Sequence, residues 1–384
     1  MARKMKDSGI EWIGEIPEGW ETINPKALFA QRKDRASKGE RQLTSSQQYG
    51  ILYQDEYMEL TGSKDFDILK HVETGDFVIS MRSFQGGLEY STKSGAISSA
   101  YVMLVPNLEL VYPRFYRWLL KSSVYIDALQ RTTNMVRDGQ AMRYSNFAQV
   151  RLFTLPLDEQ KSRADFLDLE CSSIDKILFK TRSSIEEYKK LKQAVITQAV
   201  TEGTPAMISS PHSVKLKYLI SIVSGEAIRN EQLSDFGEYP VYGGGEIIGF
   251  CSQYNTSEGS LIIGRVGARC GCVTHTTCKS WATDNALIVL PTCNAKYMYY
   301  VIGHCQLNNL NTSNAQPLIT STKIKNVVVP YFSDAMQQQE IADYLDAKCA
   351  KIDGLIAKKE QLVKELESYK KSLIYEVVTG KREV

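Results

Sequence analysis

The 384-residue sequence has no apolar run near the roughly 20 residues that a membrane-crossing helix needs, so no such helix is expected. The basic start, Met1 to Lys6, runs into Asp7-Ser8-Gly9 without an apolar core behind it, so the expectation is a cytoplasmic chain without a signal peptide. A GxxxxGK[ST] loop is missing, which argues against a nucleotide-driven motor. The glycine-rich Gly243-Gly-Gly-Glu-Ile-Ile-Gly249 does not fit G-x-G-x-x-G in a βαβ setting and reads as a tight turn. No Asn-Pro-Pro-aromatic tetrapeptide of amino-methyltransferases occurs. Histidine is scarce and scattered, at positions 71, 212, 275 and 304, with no partners in a triad pattern. Glu159-Gln-Lys161 looks like part of a nuclease metal site but has no acidic partner, so helix capping and solvation are expected of it.

Eight cysteines are present, yet none forms a CxxC pair. The tightest grouping is Cys270-Gly-Cys272 with His275 and Cys278, which lacks the paired spacing of zinc sites. No metal is expected, and reduced thiols serving as small hydrophobes are. Hydrophobic residues make up 43% and charged residues 23%, the balance of a globular chain, and the length suits two to four domains. The net charge of +2 is modest, but basic residues cluster late in each half. Arg114, Arg117, Lys121, Arg131, Arg137, Arg143 and Arg151 face only Asp127 and Asp138 over that stretch. Arg265, Arg269, Lys279, Lys296, Lys323 and Lys325 face only Asp284. Such a distribution suits phosphate backbones.

The dominant feature is an internal repeat. Ala164-Asp-Phe-Leu-Asp-Leu-Glu-Cys-Ser-Ser-Ile-Asp175 aligns with Ala342-Asp-Tyr-Leu-Asp-Ala-Lys-Cys-Ala-Lys-Ile-Asp353, and the match runs without a gap to Thr201 and Thr379. Each copy carries a heptad seam over about five heptads. Its apolar positions are Leu167, Ile174, Leu178, Ile185 and Val195 in the first, and Leu345, Ile352, Ile356, Val363 and Leu373 in the second. Thr181 with Lys359, and Lys192 with Lys370, interrupt the seam at matching places, and such interruptions fix register at a cost in strength. Each helix of about 38 residues would be a rod on the order of 57 Å. Glycines 203 and 380 read as C-caps.

The preceding segments repeat more faintly. Strands are expected at Asp76–Met81 and Ala100–Val105, a helix at Pro113–Leu120, and Asp158 as the N-cap of the first long helix. Ser260–Gly264, Asn285–Leu290 and a helix near Tyr297–Cys305 answer them. The expected fold is therefore two α/β (α+β) globular modules, each followed by a long helix, with the helices paired as an antiparallel coiled coil of pseudo-twofold symmetry. The expected boundaries are 1–155, 156–203, 204–330 and 331–384.

Met5-Lys-Asp-Ser-Gly-Ile-Glu-Trp-Ile-Gly-Glu-Ile-Pro-Glu-Gly-Trp20 resembles the opening of specificity (S) subunits of type I restriction–modification systems. Tyr239–Gly249, Ile263–Gly271 and Thr283-Asp-Asn-Ala286 resemble the core of that family's target recognition domain. Pro156–Gln160 running into Ala164–Asp168 resembles its conserved helical region. The chain departs from the pattern at Tyr331-Phe-Ser-Asp-Ala-Met-Gln337 and in the cysteines of the second module. The resemblance implies a non-catalytic, DNA-binding chain in which each recognition domain reads one half of a split, asymmetric duplex target across a coiled-coil spacer. It implies two methyltransferase (M) subunits and restriction (R) subunits as partners. S-adenosylmethionine, ATP and Mg would bind those partners, with no cofactor on this chain. A stand-alone DNA-binding or architectural protein and a solitary enzyme are the alternatives. Arg and Gln are the natural readers of guanine and adenine. The expected DNA contacts are Arg82, Gln85, Arg137, Gln140, Arg143 and Tyr144 in the first module, and Arg265, Arg269, Asn314, Gln316 and Lys323 in the second.

Overall fold

The computed structural model describes residues 3–47, 49–57, 66–80, 83–132, 142–207, 209–310 and 317–384, without the side chains of Tyr57, Phe84 and Gln85. The chain forms two compact units, Met1–Thr181 with Leu362–Val384, and Arg182–Gln361.

The first unit is built on four antiparallel strands, β1 (Phe29–Arg32), β2 (Phe77–Ile79), β3 (Glu89–Tyr90) and β4 (Val102–Pro106), in the spatial order β1-β4-β2-β3. Strand side chains alternate between faces, and here both faces are covered. Phe77, Ile79, Val102 and Leu104 enter the main core with Phe29, Tyr116 and Phe147. Val78 and Met103 enter a second small core with Leu43, Ile51, Val72 and Ile97. This two-sided burial is why the segment reads as an unbroken apolar run rather than an alternating one. A helix, α1 (Pro113–Leu119), follows with proline in its first turn, as the sequence requires. The module closes where Leu152–Thr154 pairs antiparallel with Glu21–Ile23.

The long helix α2 (Leu157–Glu202) begins directly after that strand. Asp158 is not its N-cap. The carbonyl of Pro156 accepts the first helical bond, from the Gln160 amide, so Asp158 falls inside the first turn, where its charge favours the helix N-terminus. In the first unit the N-terminal half of α2 packs against the last turns of the second long helix. Leu167, Cys171, Ile174 and Leu178 share a core with Leu373, Val377 and Val378, and Val363 packs partly against it.

The second unit repeats the plan. Strands β5 (Ile220–Ser224), β6 (Leu261–Gly264), β7 (Val273–His275) and β8 (Ala286–Pro291) lie in the order β5-β8-β6-β7, the same winding as before. Helix α3 (Ala295–His304) corresponds to α1, and His212–Lys215 pairs with Val328–Tyr331 to close the module. The second long helix is α4 (Ala335–Val378). Its start lacks the proline of the first copy, but Asp334 caps it, accepting from the amides of Met336 at 2.7 Å and Gln337 at 3.1 Å. Leu345 and Cys349 of α4 share the core with Ala199 and Val200 of α2, and Val195 packs partly against it. Ile185 and Ile352 are buried, and Ile356 is half-buried. Both long helices end at left-handed glycines, Gly203 (φ 88°) and Gly380 (φ 77°).

Candidate nucleic-acid interface

Each module is latched to its long helix by the same two polar devices. Gln160 is fully buried; its Oε1 accepts from the Tyr112 amide at 2.7 Å, and its Nε2 donates to the carbonyls of Leu110 (2.8 Å) and Leu155 (2.9 Å). Its repeat partner Gln338 accepts from the Asn294 amide at 3.1 Å and donates to the Phe332 carbonyl at 2.6 Å. One helical face further on, Asp168 accepts from Arg117 Nη2 (2.6 Å) and Trp118 Nε1 (2.7 Å) and from Arg114. Asp346 accepts from Lys296 Nζ (2.6 Å) and the Tyr300 hydroxyl (2.7 Å). Burial opposes the charge on both carboxylates, and these donors hold each below the usual range.

The Glu159-Gln-Lys161 stretch is therefore only partly solvated: Gln160 is buried, Glu159 half-buried and Lys161 exposed. Glu159 accepts from Trp20 Nε1 at 3.1 Å, Arg3 Nη2 at 3.0 Å and Arg163 Nη2 at 2.7 Å. Burial opposes its charge, but those donors win, and its pKa falls to about 2. Arg163, itself buried, continues to the carbonyls of Val377 (2.8 Å) and Arg382 (3.0 Å), fastening the end of α4.

These latches use up much of the basic clustering read from sequence. Arg114 and Arg117 serve Asp168, Lys121 holds the buried Glu89 at 2.7 Å, Arg131 pairs with Glu11, and Lys296 serves Asp346. The charge run is substantially an internal wiring, which leaves fewer cations for a phosphate backbone than the raw count suggests.

In the second module a hairpin and a loop meet at one point. Strands Tyr239–Gly243 and Glu246–Cys251 are joined by Gly244 and Gly245, both at positive φ, so the glycine-rich motif is a tight turn. The turn lies on the loop after β6 so closely that a Cβ on Gly264 would stand 2.3 Å from the Gly244 carbonyl and 2.5 Å from that of Arg269. Arg269 Nη1 bonds Glu246 Oε1 at 3.2 Å across the same junction. The Pro317–Ile319 segment joins the other side of the loop, with Ile319 N donating to the Arg265 carbonyl at 3.0 Å. Arg265 (half-buried) and Arg269 (exposed) are thus brought together beside an exposed hairpin end carrying Glu246, Ile247 and Ile248. Lys323 is turned elsewhere; its Nζ donates to the Leu310 carbonyl at 3.1 Å. Asn314 and Gln316 lie outside the described residues.

The first module has a similar junction. The hairpin of Leu43–Ser46 and Gly50–Tyr53 brings Gln47 against Gly86, where a Cβ would meet Gln47 Cγ at 2.9 Å. Gln85 belongs to the short helical turn Ser83–Gly86 at this junction, although its side chain is outside the description; Arg82, Arg137 and Gln140 lie outside the described residues altogether. Arg143 is exposed just before the helix Tyr144–Gln149. Tyr144 turns inward, its hydroxyl donating to the Phe29 carbonyl at 2.9 Å, which fits scaffold better than base contact. Sequence reasoning missed the hairpin tips as parts of the site. The available signal was the glycine at each hairpin turn; Gly244-Gly245 was read only as a tight turn, and Gly50 was not singled out.

Among the described residues, no group of three or more His, Cys, Asp or Glu side chains could hold a metal ion. No helix among them is long and apolar enough to cross a membrane. The eight cysteines are free; Cys171, Cys251, Cys270 and Cys349 are buried, while Cys272 and Cys278 are exposed.

Comparison with known proteins agrees with this architecture. Residues 212–365 match the family described as Type I restriction modification DNA specificity domain. Over 110 residues, 28% of this chain and 27% of the relative, the sequence is 29% identical to the EcoprrI specificity subunit, a type I restriction enzyme subunit from Escherichia coli. That match spans about a quarter of the relative's length. A chain from a structure of complex assembly and conformational transition of the type I R-M system superposes with a TM-score of 0.73 at 14% identity, covering 96% of this chain and 99% of that one. The HsdS subunit from Thermoanaerobacter tengcongensis gives 0.53 at 14% identity over 96% and 98%. At such identity the structural likeness speaks for the fold. Residues 212–365 are thus similar to the DNA specificity domain of type I restriction–modification systems, and the chain shares its fold with solved chains of such systems.

Proposed function

We propose that this chain is the DNA sequence-recognition subunit of a type I restriction–modification complex, cytoplasmic and without catalysis of its own. It reads a split asymmetric duplex, one half through residues 1–155 and the other through 204–330. The helical regions 156–203 and 331–384 set the spacing and dock two methyltransferase subunits and restriction subunits. S-adenosylmethionine, ATP and Mg belong to those partners.

One observation carries the reading. The two modules share the strand order, the hairpin-on-loop junction and the glutamine latch, yet differ in sequence at the junction, with Gln47 against the Ser83–Gly86 turn in one and the Arg265 and Arg269 loop in the other. A common scaffold with divergent edges is what two readers of different half-sites require. Phosphate contacts would orient each module and base edges in the major groove would be read from the junction.

Co-expression with the cognate methyltransferase, followed by genome-wide mapping of methylated adenine, tests this. The expected result is one bipartite motif, absent when either chain is omitted. Sequence-specific binding without any methyltransferase partner would favour a stand-alone architectural protein. Methylation or cleavage by the isolated chain would overturn the proposal.

A further inference from the structure

The hairpin turn of the second module carries a carboxylate, which the phosphates of a duplex repel. Glu246 opens the second strand of the hairpin and faces Gly243 across the turn. Among the described residues its one partner is Arg269, whose Nη1 donates to Oε1 at 3.2 Å, while Oε2 has none. Both side chains are exposed, Arg269 by 50% and Glu246 by 61%. Exposed pairs of this kind contribute little to folding. The turn itself asks only for the glycines at 244 and 245, both at positive φ. Neither packing nor turn geometry accounts for an acid at 246.

The strand beside it departs from regular pairing. Val241 faces Gly249 and Tyr242 faces Ile247, so Ile248 is an extra residue, a β-bulge. A bulge breaks the alternation of a strand and re-aims its side chains. Ile247 and Ile248 are left 52% and 48% exposed. The tip thus presents an open acceptor, a guanidinium and two aliphatic side chains together. Apolar neighbours exclude water once a second surface closes over the polar pair, which strengthens its hydrogen bonds.

We infer that Glu246 is a specificity-determining residue that, with Arg269, reads one G·C base pair in the half-site of the second module. This rests on the proposed function above. In the major groove guanine offers two acceptors, O6 and N7, and its partner cytosine offers the N4 amino donor. Arginine carries five N–H donors, enough to keep Glu246 and to face both guanine acceptors. The open Oε2 of Glu246 then accepts from cytosine N4. An A·T pair would set the adenine N6 donor against the guanidinium and the thymine O4 acceptor against the carboxylate, so like would meet like. The corresponding tip in the first module, Ser46-Gln-Gln-Tyr-Gly50, has no carboxylate, so the other half-site serves as an internal control.

The chain in complex with its cognate methyltransferase, wild type and Glu246→Ala, tests the inference. Methylation mapping identifies the motif and the half-site that the variant relaxes. Competition binding then uses duplexes in which the cytosine of each G·C pair in that half is replaced by 2-pyrimidinone, which lacks the N4 amino group. At one position the replacement should weaken wild type at least roughly fivefold and leave Glu246→Ala unaffected. An unchanged thermal transition verifies that the variant folds. Equal weakening of both chains at every position would show that Glu246 does not touch cytosine and would overturn the assignment. So would an unaltered motif in Glu246→Ala, or a relaxed half-site without a G·C pair. Absence of any sequence-specific binding by the wild-type complex would instead count against the proposed function.

Discussion

The Lys370 ammonium lies 2.6 Å and 2.7 Å from the two carboxylate oxygens of Asp175, at a seam position where the heptad pattern has lysine instead of an apolar residue. The equivalent Lys192 lies 2.8 Å and 2.7 Å from the two oxygens of Asp353. It is one contact made twice with the helices' roles exchanged: α4 supplies the lysine in the first unit and α2 in the second. Each polar interruption is thereby answered, and a shift of register would separate both pairs.

Because these pairs are partly exposed, each is worth about 0–1 kcal/mol. Asp175→Lys, which sets like charges opposite each other, is expected to cost on the order of 1 kcal/mol. Combining it with Lys370→Asp should restore most of that loss. Thermal unfolding of the single and double variants measures the coupling, and equal losses in both would show that the pair does not set the register.

Gln160→Leu should be among the most damaging single changes. It removes the partner of the Tyr112 amide and of the Leu110 and Leu155 carbonyls at a buried place. With roughly 1–3 kcal/mol for each buried group left unpaired, a loss on the order of 3 kcal/mol is expected. Gln338→Leu should cost somewhat less, since it breaks two bonds rather than three. Denaturant titration of both variants gives the comparison.

Gly264→Ala probes the interface without removing any charge. The added methyl would collide with two backbone carbonyls, so the hairpin turn must lift from the loop that carries Arg265 and Arg269. A destabilisation of about 1–3 kcal/mol is expected, as for other overpacked sites. Methylation mapping should show relaxed discrimination in one half-site. Wild-type discrimination would mean that the junction does not read DNA.

Arg265→Ala should weaken binding or relax discrimination in that same half-site alone, by about 1–3 kcal/mol if the side chain is bidentate to guanine. Competition binding with duplexes altered in one half at a time separates the halves, and an unaltered profile removes Arg265 from the reading surface.

Acid stability gives a fifth measurement. The pKa of Glu159 is about 2 in the folded chain, below its ordinary 4.5. A carboxylate depressed by folding adds stability above its unfolded pKa and loses it as pH falls through the folded value. The contribution of this cluster should therefore fade between about pH 4.5 and 2. Glu159→Gln should be less stable at neutral pH and show a flatter acid transition over that window, followed by fluorescence of the buried Trp20.

Lengthening α2 and α4 together by one heptad should widen the gap between half-sites in the methylated motif, which the same mapping reads directly.

The long helices were legible because their information is local. A seam recurring over many turns, a repeat aligned without gaps, and a glycine at the C-terminal end of each helix specify structure within a few residues. The strands around Phe77–Ile79 and Leu261–Gly264 were legible for the same reason, as were α1 and α3. The sequence alone also determined the family resemblance and the duplicated plan, since these rest on residue order.

What the tertiary structure decided was where the polar side chains go. Arg114, Arg117 and Lys121 read as a basic surface, yet they serve Asp168 and Glu89; Gln160 read as solvated, yet it is buried with all its bonds made. Tyr144 read as a base contact and proved to bond Phe29. Such partners are distant in sequence, and a side chain's charge carries no record of which carboxylate it will meet. The second module's hairpin turn comes beside the loop of Arg265 and Arg269 only through the approach of Gly244 to Gly264, a contact between backbones that no side-chain pattern encodes.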